Sequence, residues 1–168
     1  MKQAIAGVAP PELGEVTVMT VWPSVASLGF GRFLGRVLAV QAGFGIFRIG
    51  RLMALAALPI GPLLYFCLRM PGMVRRYRLS NRRVAVLKGL RPRVERFVDL
   101  DRFDSIEVVV RPGQEWYHAG DLIFRNGALE TFRLAGVPRP ETFRQTCLKA
   151  RMSYTGVRKA RQLETAEA

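Results

Sequence analysis

Between Glu15 and Glu95 the chain has no acidic residue, yet this span carries thirteen Arg or Lys side chains and the longest apolar runs. The full sequence of 168 residues holds 26 Lys or Arg and 13 Asp or Glu, so charges outside the span cancel and the whole excess of +13 lies within it. Basic residues flanking apolar segments are the pattern of a membrane protein obeying the positive-inside bias. The length admits one ordinary domain plus an appendage, and excludes a barrel enzyme or a two-domain dinucleotide dehydrogenase. One His and two Cys exclude a zinc finger, a Cys-rich scaffold and most metal hydrolases.

Residues 52–68 form an uncharged run of seventeen residues, and a helix of that length spans about 25 Å, enough for a thin hydrocarbon core. Pro59, Gly61 and Pro62 would kink it, which lipid-embedded helices tolerate. Upstream, residues 37–47 are uncharged but include Gln41, and span only if Phe33, Leu34 and Ile49 are added while Arg36 and Arg48 snorkel to opposite interfaces. The two segments read as a transmembrane hairpin with Arg48, Gly50 and Arg51 in its turn, a multi-pass cell-membrane anchor with both termini cytoplasmic. Gly31, Gly35 and Ala39 repeat at four-residue spacing and would let helices approach closely, in a homo-oligomer for example. The rival reading is an interfacial stretch with Arg32 and Arg36 on one face and Phe30, Phe33 and Leu34 toward lipid. Residues 1–23 lack the pattern of a cleaved signal and read as a partly disordered segment with one weak strand at Val16, Val18 and Val21, before an interface-suited Trp22.

After Met70 and Pro71 the pattern becomes short alternating segments separated by turn residues, as in a small antiparallel β structure. Strands are expected over residues 76–79, 83–88, 93–99 and around Ile106, Val108 and Val110. A further hairpin is expected over residues 122–134 on a two-residue Asn126-Gly127 turn. Pro140 and Glu141 suit the first turn of a helix whose Phe143, Cys147, Ala150 and Tyr154 form one apolar stripe. Such a helix covers an open edge or mouth of the preceding sheet.

The order of these elements resembles the bacterial pleckstrin-homology (PH)-like domain of the membrane-flanked type. The resemblance rests on Tyr77-Arg78-Leu79-Ser80-Asn81-Arg82-Arg83 followed by Lys88-Gly89, and on the strand from Phe103 to Val108. Gly120-Asp121-Leu122-Ile123-Phe124, Val137-Pro138-Arg139-Pro140-Glu141 and the Pro23-Ser24 step complete it, over about residues 14–154. Two departures stand out: the loop 111–119 (RPGQEWYHA) replaces the usual apolar, Gly-rich turn, and Arg139 stands where an acidic residue often precedes Pro. The resemblance implies a partly open PH-like barrel closed by the C-terminal helix, and no activity. The expected architecture is therefore an α+β membrane protein: an N-terminal segment 1–23, a transmembrane helical hairpin 24–70, a PH-like antiparallel β-barrel with its capping helix 71–155, and a disordered tail 156–168.

Catalytic chemistry is thinly supplied, and no enzyme is expected. His118, beside Trp116 and Tyr117 with Glu115 and Asp121 near, is the one conceivable general base and reads as an exposed loop residue. Asp99, Asp101 and Asp104 lack the Gly bend and terminal Glu of a calcium loop, the glycines around Gly29 lack dinucleotide spacing, and Cys67 and Cys147 read as apolar fillers, so neither metal nor cofactor is called for. What remains is a cationic collar of Arg75, Arg76, Arg78, Arg82, Arg83, Lys88, Arg91 and Arg93, suited to anionic phospholipid headgroups. Within it Arg76 and Arg78 share a strand face while Tyr77 and Leu79 pack inward. A free sheet edge or the loop at Trp116, Tyr117 and His118 would meet a membrane or cytoplasmic protein. The sequence thus reads as a membrane-anchored binding or scaffold module, with a nucleic-acid-binding basic protein as the alternative.

Overall fold

The computed structural model describes residues 14–39, 55, 58–69 and 74–167. Strands β1 (Thr17–Val21), β2 (Arg75–Ser80), β3 (Arg83–Lys88) and β4 (Arg93–Asp99) form one antiparallel sheet in that order. A second contains β5 (Ser105–Val109), β6 (Ala119–Asn126) and β7 (Leu129–Pro138). The helices among the described residues are α1 (Gly29–Leu38), introduced by a 3-10 turn at Val25–Ser27, α2 (Ile60–Arg69) and α3 (Pro140–Glu167).

Period-2 alternation decides which side chains enter the core. Tyr77 and Leu79 of β2, paired with Val86 and Val84 of β3, face inward with Val98 of β4. They meet Leu122 and Phe124 of β6 and Phe132, Leu134 and Val137 of β7. Leu100 and Phe103 are buried at the corner between the sheets, where Phe103 meets Phe124 edge-on at 4.9 Å. The stripe Phe143, Cys147 and Ala150 of α3 is buried on the same core, and burial pushes the Cys147 thiol well above its ordinary range. Ser80 closes the β2–β3 turn, its Oγ accepting from the backbone N–H groups of Arg82 and Arg83 at 3.3 and 3.1 Å.

Tyr77 also ties the two sheets together, since its hydroxyl donates to the Ala135 carbonyl at 2.8 Å. Burial raises its pKa from 10.0 to about 12. The neutral phenol is thus favoured in the folded state. Its contribution is complete below pH 10, where the unfolded phenol is still protonated, and is lost as pH rises from 10 toward 12. Tyr77→Phe is expected to cost about 1 kcal/mol at neutral pH and to flatten that alkaline loss. Urea midpoints of both proteins at neutral pH and across the alkaline window check this; parallel curves would refute it.

Three expectations are corrected. The first is the transmembrane hairpin and, with it, the multi-pass membrane topology: among the described residues no helix is long and apolar enough to cross a membrane. The helices α1 and α2 have ten residues each, or about 15 Å, half a hydrocarbon core. Prolines account for part of this. Pro62 lies in the first turn of α2, where its missing N–H costs nothing, so the residues expected to kink one long helix instead begin a short one. The remaining parts of the two expected spans, residues 40–54 and 56–57, lie outside the described residues, as do residues 1–13.

The second correction concerns the barrel, which is not closed. The sheets share no ladder, and β4 and β7, each an edge strand, flank a cleft of about 530 Å³ lined by residues including Phe97 and Phe132. Arg96 reaches across it, its guanidinium carbon 5.8 Å from the Phe132 ring centre. Third, the β6–β7 turn falls on Gly127-Ala128, one residue beyond the expected Asn126-Gly127. Asp104 secures this register: its Oδ2 accepts from the Gly127 N–H at 2.9 Å, and its N–H donates to the Arg125 carbonyl at 2.8 Å. The helix α3 continues to Glu167, through residues expected to be disordered, with Arg158 ion-paired to Asp101.

Candidate functional site

Strand directions divide the expected cationic collar between two ends of the molecule. The pairings Arg75↔Lys88 and Lys88↔Arg93 place three basic residues in one row across β2, β3 and β4, exposed to solvent. Strands lie about 4.8 Å apart, so these like charges repel unless an anion screens them. Glu95 reaches Arg75 at 3.4 Å, while Lys88, Arg91 and Arg93 have no acidic partner among the described residues. The β3–β4 turn carries Arg91 and places Leu90, 63% exposed, at its tip. Gly89 takes a left-handed φ of 90° there, and its N–H donates to the Val74 carbonyl at 2.8 Å.

Arg82 and Arg83 sit at the opposite end of the same strands, about 17 Å away over a six-residue strand. Arg83 is occupied: it grips both carboxylate oxygens of Glu15 and lies 5.0 Å from the Phe97 ring centre. The Arg83 guanidinium in turn holds the Glu15 carboxyl below its usual range. Arg76 and Arg78 do share the outer face of β2, and Arg76 is drawn over the Trp22 ring at 4.6 Å. Within this row and its turn Glu95 pairs with Arg75, and Lys88, Arg91 and Arg93, beside the exposed Leu90, are therefore the cations left without an acidic partner among the described residues.

The loop 111–119 belongs to the same end and is held from beneath. Gln114, fully buried, accepts the Arg111 N–H at 2.8 Å and donates to Asp121 Oδ1 at 2.7 Å. That oxygen also accepts the Gly136 N–H at 3.0 Å. Arg111 Nε lies 3.0 Å from Asp121 Oδ2 but off the hydrogen-bonding axis, so this contact is an ion pair only. Asp121 is thereby committed to structure, and no hydrogen bond or ion pair joins it to His118. His118 ends a 3-10 turn at Glu115–Tyr117 in the left-handed conformation, exposed, its carbonyl accepting the Arg139 N–H at 2.9 Å. Trp116 and His118 rim an open groove of about 550 Å³ that also touches Glu115, Leu38 and Ala39. Tyr117 is half-buried, which raises its phenol pKa.

The helix α1 docks on this loop through its small residues. A Cβ at Gly35 would overlap the Gly113 carbonyl oxygen, and one at Gly113, whose φ is 90°, would overlap the Arg32 carbonyl oxygen. Arg36 Nε donates to the Pro112 carbonyl at 3.2 Å. Gly31 abuts Val25 in the same way. The four-residue glycine spacing thus serves contact with the chain's own 3-10 turn and loop. Sequence reasoning missed the second half of this contact, and its one local trace is Gly113 after Pro112 in a loop of otherwise bulky residues.

Two antiparallel sheets of four and three strands packed over a C-terminal helix define a PH-like fold. The model of the bacterial PH domain family matches residues 25–151, about three quarters of the chain, and the chain belongs to that family. The match begins in the 3-10 turn before α1, so α1 lies within the family's own unit. No curated protein and no solved structure matches the chain. As a PH-like domain the protein is a binding or scaffold module in general terms.

Proposed function

We propose that this bacterial PH domain is a non-catalytic module that docks its basic end peripherally on anionic phospholipid headgroups. The observation that carries the reading is the group Lys88, Arg91 and Arg93, without acidic partners among the described residues and arranged around an exposed Leu90. A flat anionic surface relieves the repulsion within the row, and each nearby Lys or Arg contributes about 1 kcal/mol. Trp116 and His118, on the rim of the neighbouring groove, are the proposed contact for a protein partner held at that surface.

Sedimentation of the full chain with phosphatidylserine-containing vesicles tests the docking. Replacing Arg91 and Arg93 together by Gln is expected to weaken binding by about 2 kcal/mol, roughly thirtyfold. Arg82→Gln, at the far end, is expected to leave it unchanged. Equal binding by all three proteins would remove the basic end from the reading. Salt-sensitive retention of oligonucleotides without vesicle binding would favour the nucleic-acid alternative.

A further inference from the structure

From α1 we infer a second element of the same surface: a rigidly mounted aromatic wedge, Phe30 and Phe33, that inserts into the interfacial layer of an anionic bilayer. The inference rests on the docking proposed above and adds an apolar component to it. Phe30 and Phe33 are 54% and 59% exposed, three residues apart on one face, with ring centres 6.4 Å apart. The opposite face of the helix is fixed by Gly31 against Val25 and by Gly35 against Gly113. Those contacts leave α1 little freedom to turn its aromatic side inward, so the rings stay outward at the cost of exposed apolar area.

The surroundings specify the occupant. Arg32 and Arg36 flank the rings, and no acidic residue occurs anywhere between Glu15 and Glu95. An apolar face accompanied by cations, with Glu115 at the far end of the helix beside Leu38 and Ala39, matches a bilayer whose headgroups are anionic and whose acyl region lies just beneath. Position agrees as well. Tyr77, near the start of β2, bonds Ala135 of β7, and the Ser24 N–H donates to the Gly136 carbonyl at 2.8 Å just before α1. The helix therefore emerges at the end of the sandwich that carries the row Arg75, Lys88 and Arg93. Trp22, half-exposed under Arg76, belongs to that end too. Charge attracts the domain to the surface and the rings enter it, two contributions that respond differently to salt.

The full chain with Phe30→Gln and Phe33→Gln is compared with the parent on phosphatidylserine-containing and pure phosphatidylcholine vesicles, at low and high salt. Gln keeps helix propensity, and both positions are exposed, so the urea midpoint is expected to stay at the parent value. Each ring removed is expected to weaken binding to anionic vesicles about tenfold, and the parent alone is expected to retain measurable binding at high salt. If the double variant binds as the parent does, or if high salt strips the parent completely, the wedge is overturned while the basic-end docking stands. Failure of the parent to bind anionic vesicles at low salt overturns both.

Discussion

Replacing Asp121 by alanine is expected to lower stability by about 3 to 5 kcal/mol, because it removes one partner of a buried charged network and leaves the others unsatisfied. Asp121 is 1% exposed, and one of its oxygens receives both Gln114 Nε2 and the Gly136 N–H. Without the carboxylate, the fully buried Gln114 amide and a buried backbone donor lose their acceptor in a place water does not reach. Arg111 loses its ion pair at the same time. The damage would extend to function, since this network fixes the loop that bears Trp116 and His118 and the loop receives α1. Asp121→Asn keeps the shared acceptor for Gln114 and Gly136 but turns its amide N–H₂ toward Arg111 and removes the ion pair, so an intermediate loss is expected. Urea unfolding followed by circular dichroism measures both. A midpoint for Asp121→Ala within about 1 kcal/mol of the parent would mean that the loop does not depend on this network.

Gly35→Val is expected to cost about 3 kcal/mol and to detach α1 from the domain. The obstruction is main chain on both sides: Gly35 faces the Gly113 carbonyl, and Gly113 faces the Arg32 carbonyl. Neither can rotate away as a side chain would. Gly113→Ala adds the strain of a left-handed φ of 90° to the same collision, so it is expected to be comparably damaging. Gly29, whose Cβ would meet only the end of the Arg32 side chain at 4.0 Å, supplies the control, and Gly29→Ala is expected to be neutral. Limited proteolysis within α1 together with the unfolding midpoint reads the outcome. Unchanged values for Gly35→Val would show that α1 does not pack on the loop. Because the proposed aromatic wedge depends on this mounting, the same variant is expected to blunt vesicle binding.

Local periodicity makes the β-rich part legible in the sequence alone. Tyr77 and Leu79 alternate with Arg76 and Arg78, and β3 and β4 occupy the expected residues 83–88 and 93–99, because strand faces repeat every two residues. The stripe Phe143, Cys147 and Ala150 reads equally well, since a helix face recurs every three to four. Hydropathy was less reliable in the first half. Residues 52–68 are apolar enough to suggest lipid, but composition carries no information on where a helix begins, and α2 starts only at Ile60.

Sequence by itself determined the family, the strands, the capping helix and the confinement of positive charge to one acid-free span, all of them properties of near neighbours along the chain. Tertiary structure alone decided which of those charges face solvent together. Antiparallel pairing carried Arg82 and Arg83 to one end, where Glu15 engages Arg83, and gathered Arg75, Lys88 and Arg93 at the other. It likewise decided that Gly35 meets Gly113 and that Asp121 anchors a loop and serves no imidazole. The physical reason is common to all three: strand register, close backbone approach and burial of a carboxylate are set by residues distant in sequence, and no local pattern encodes them.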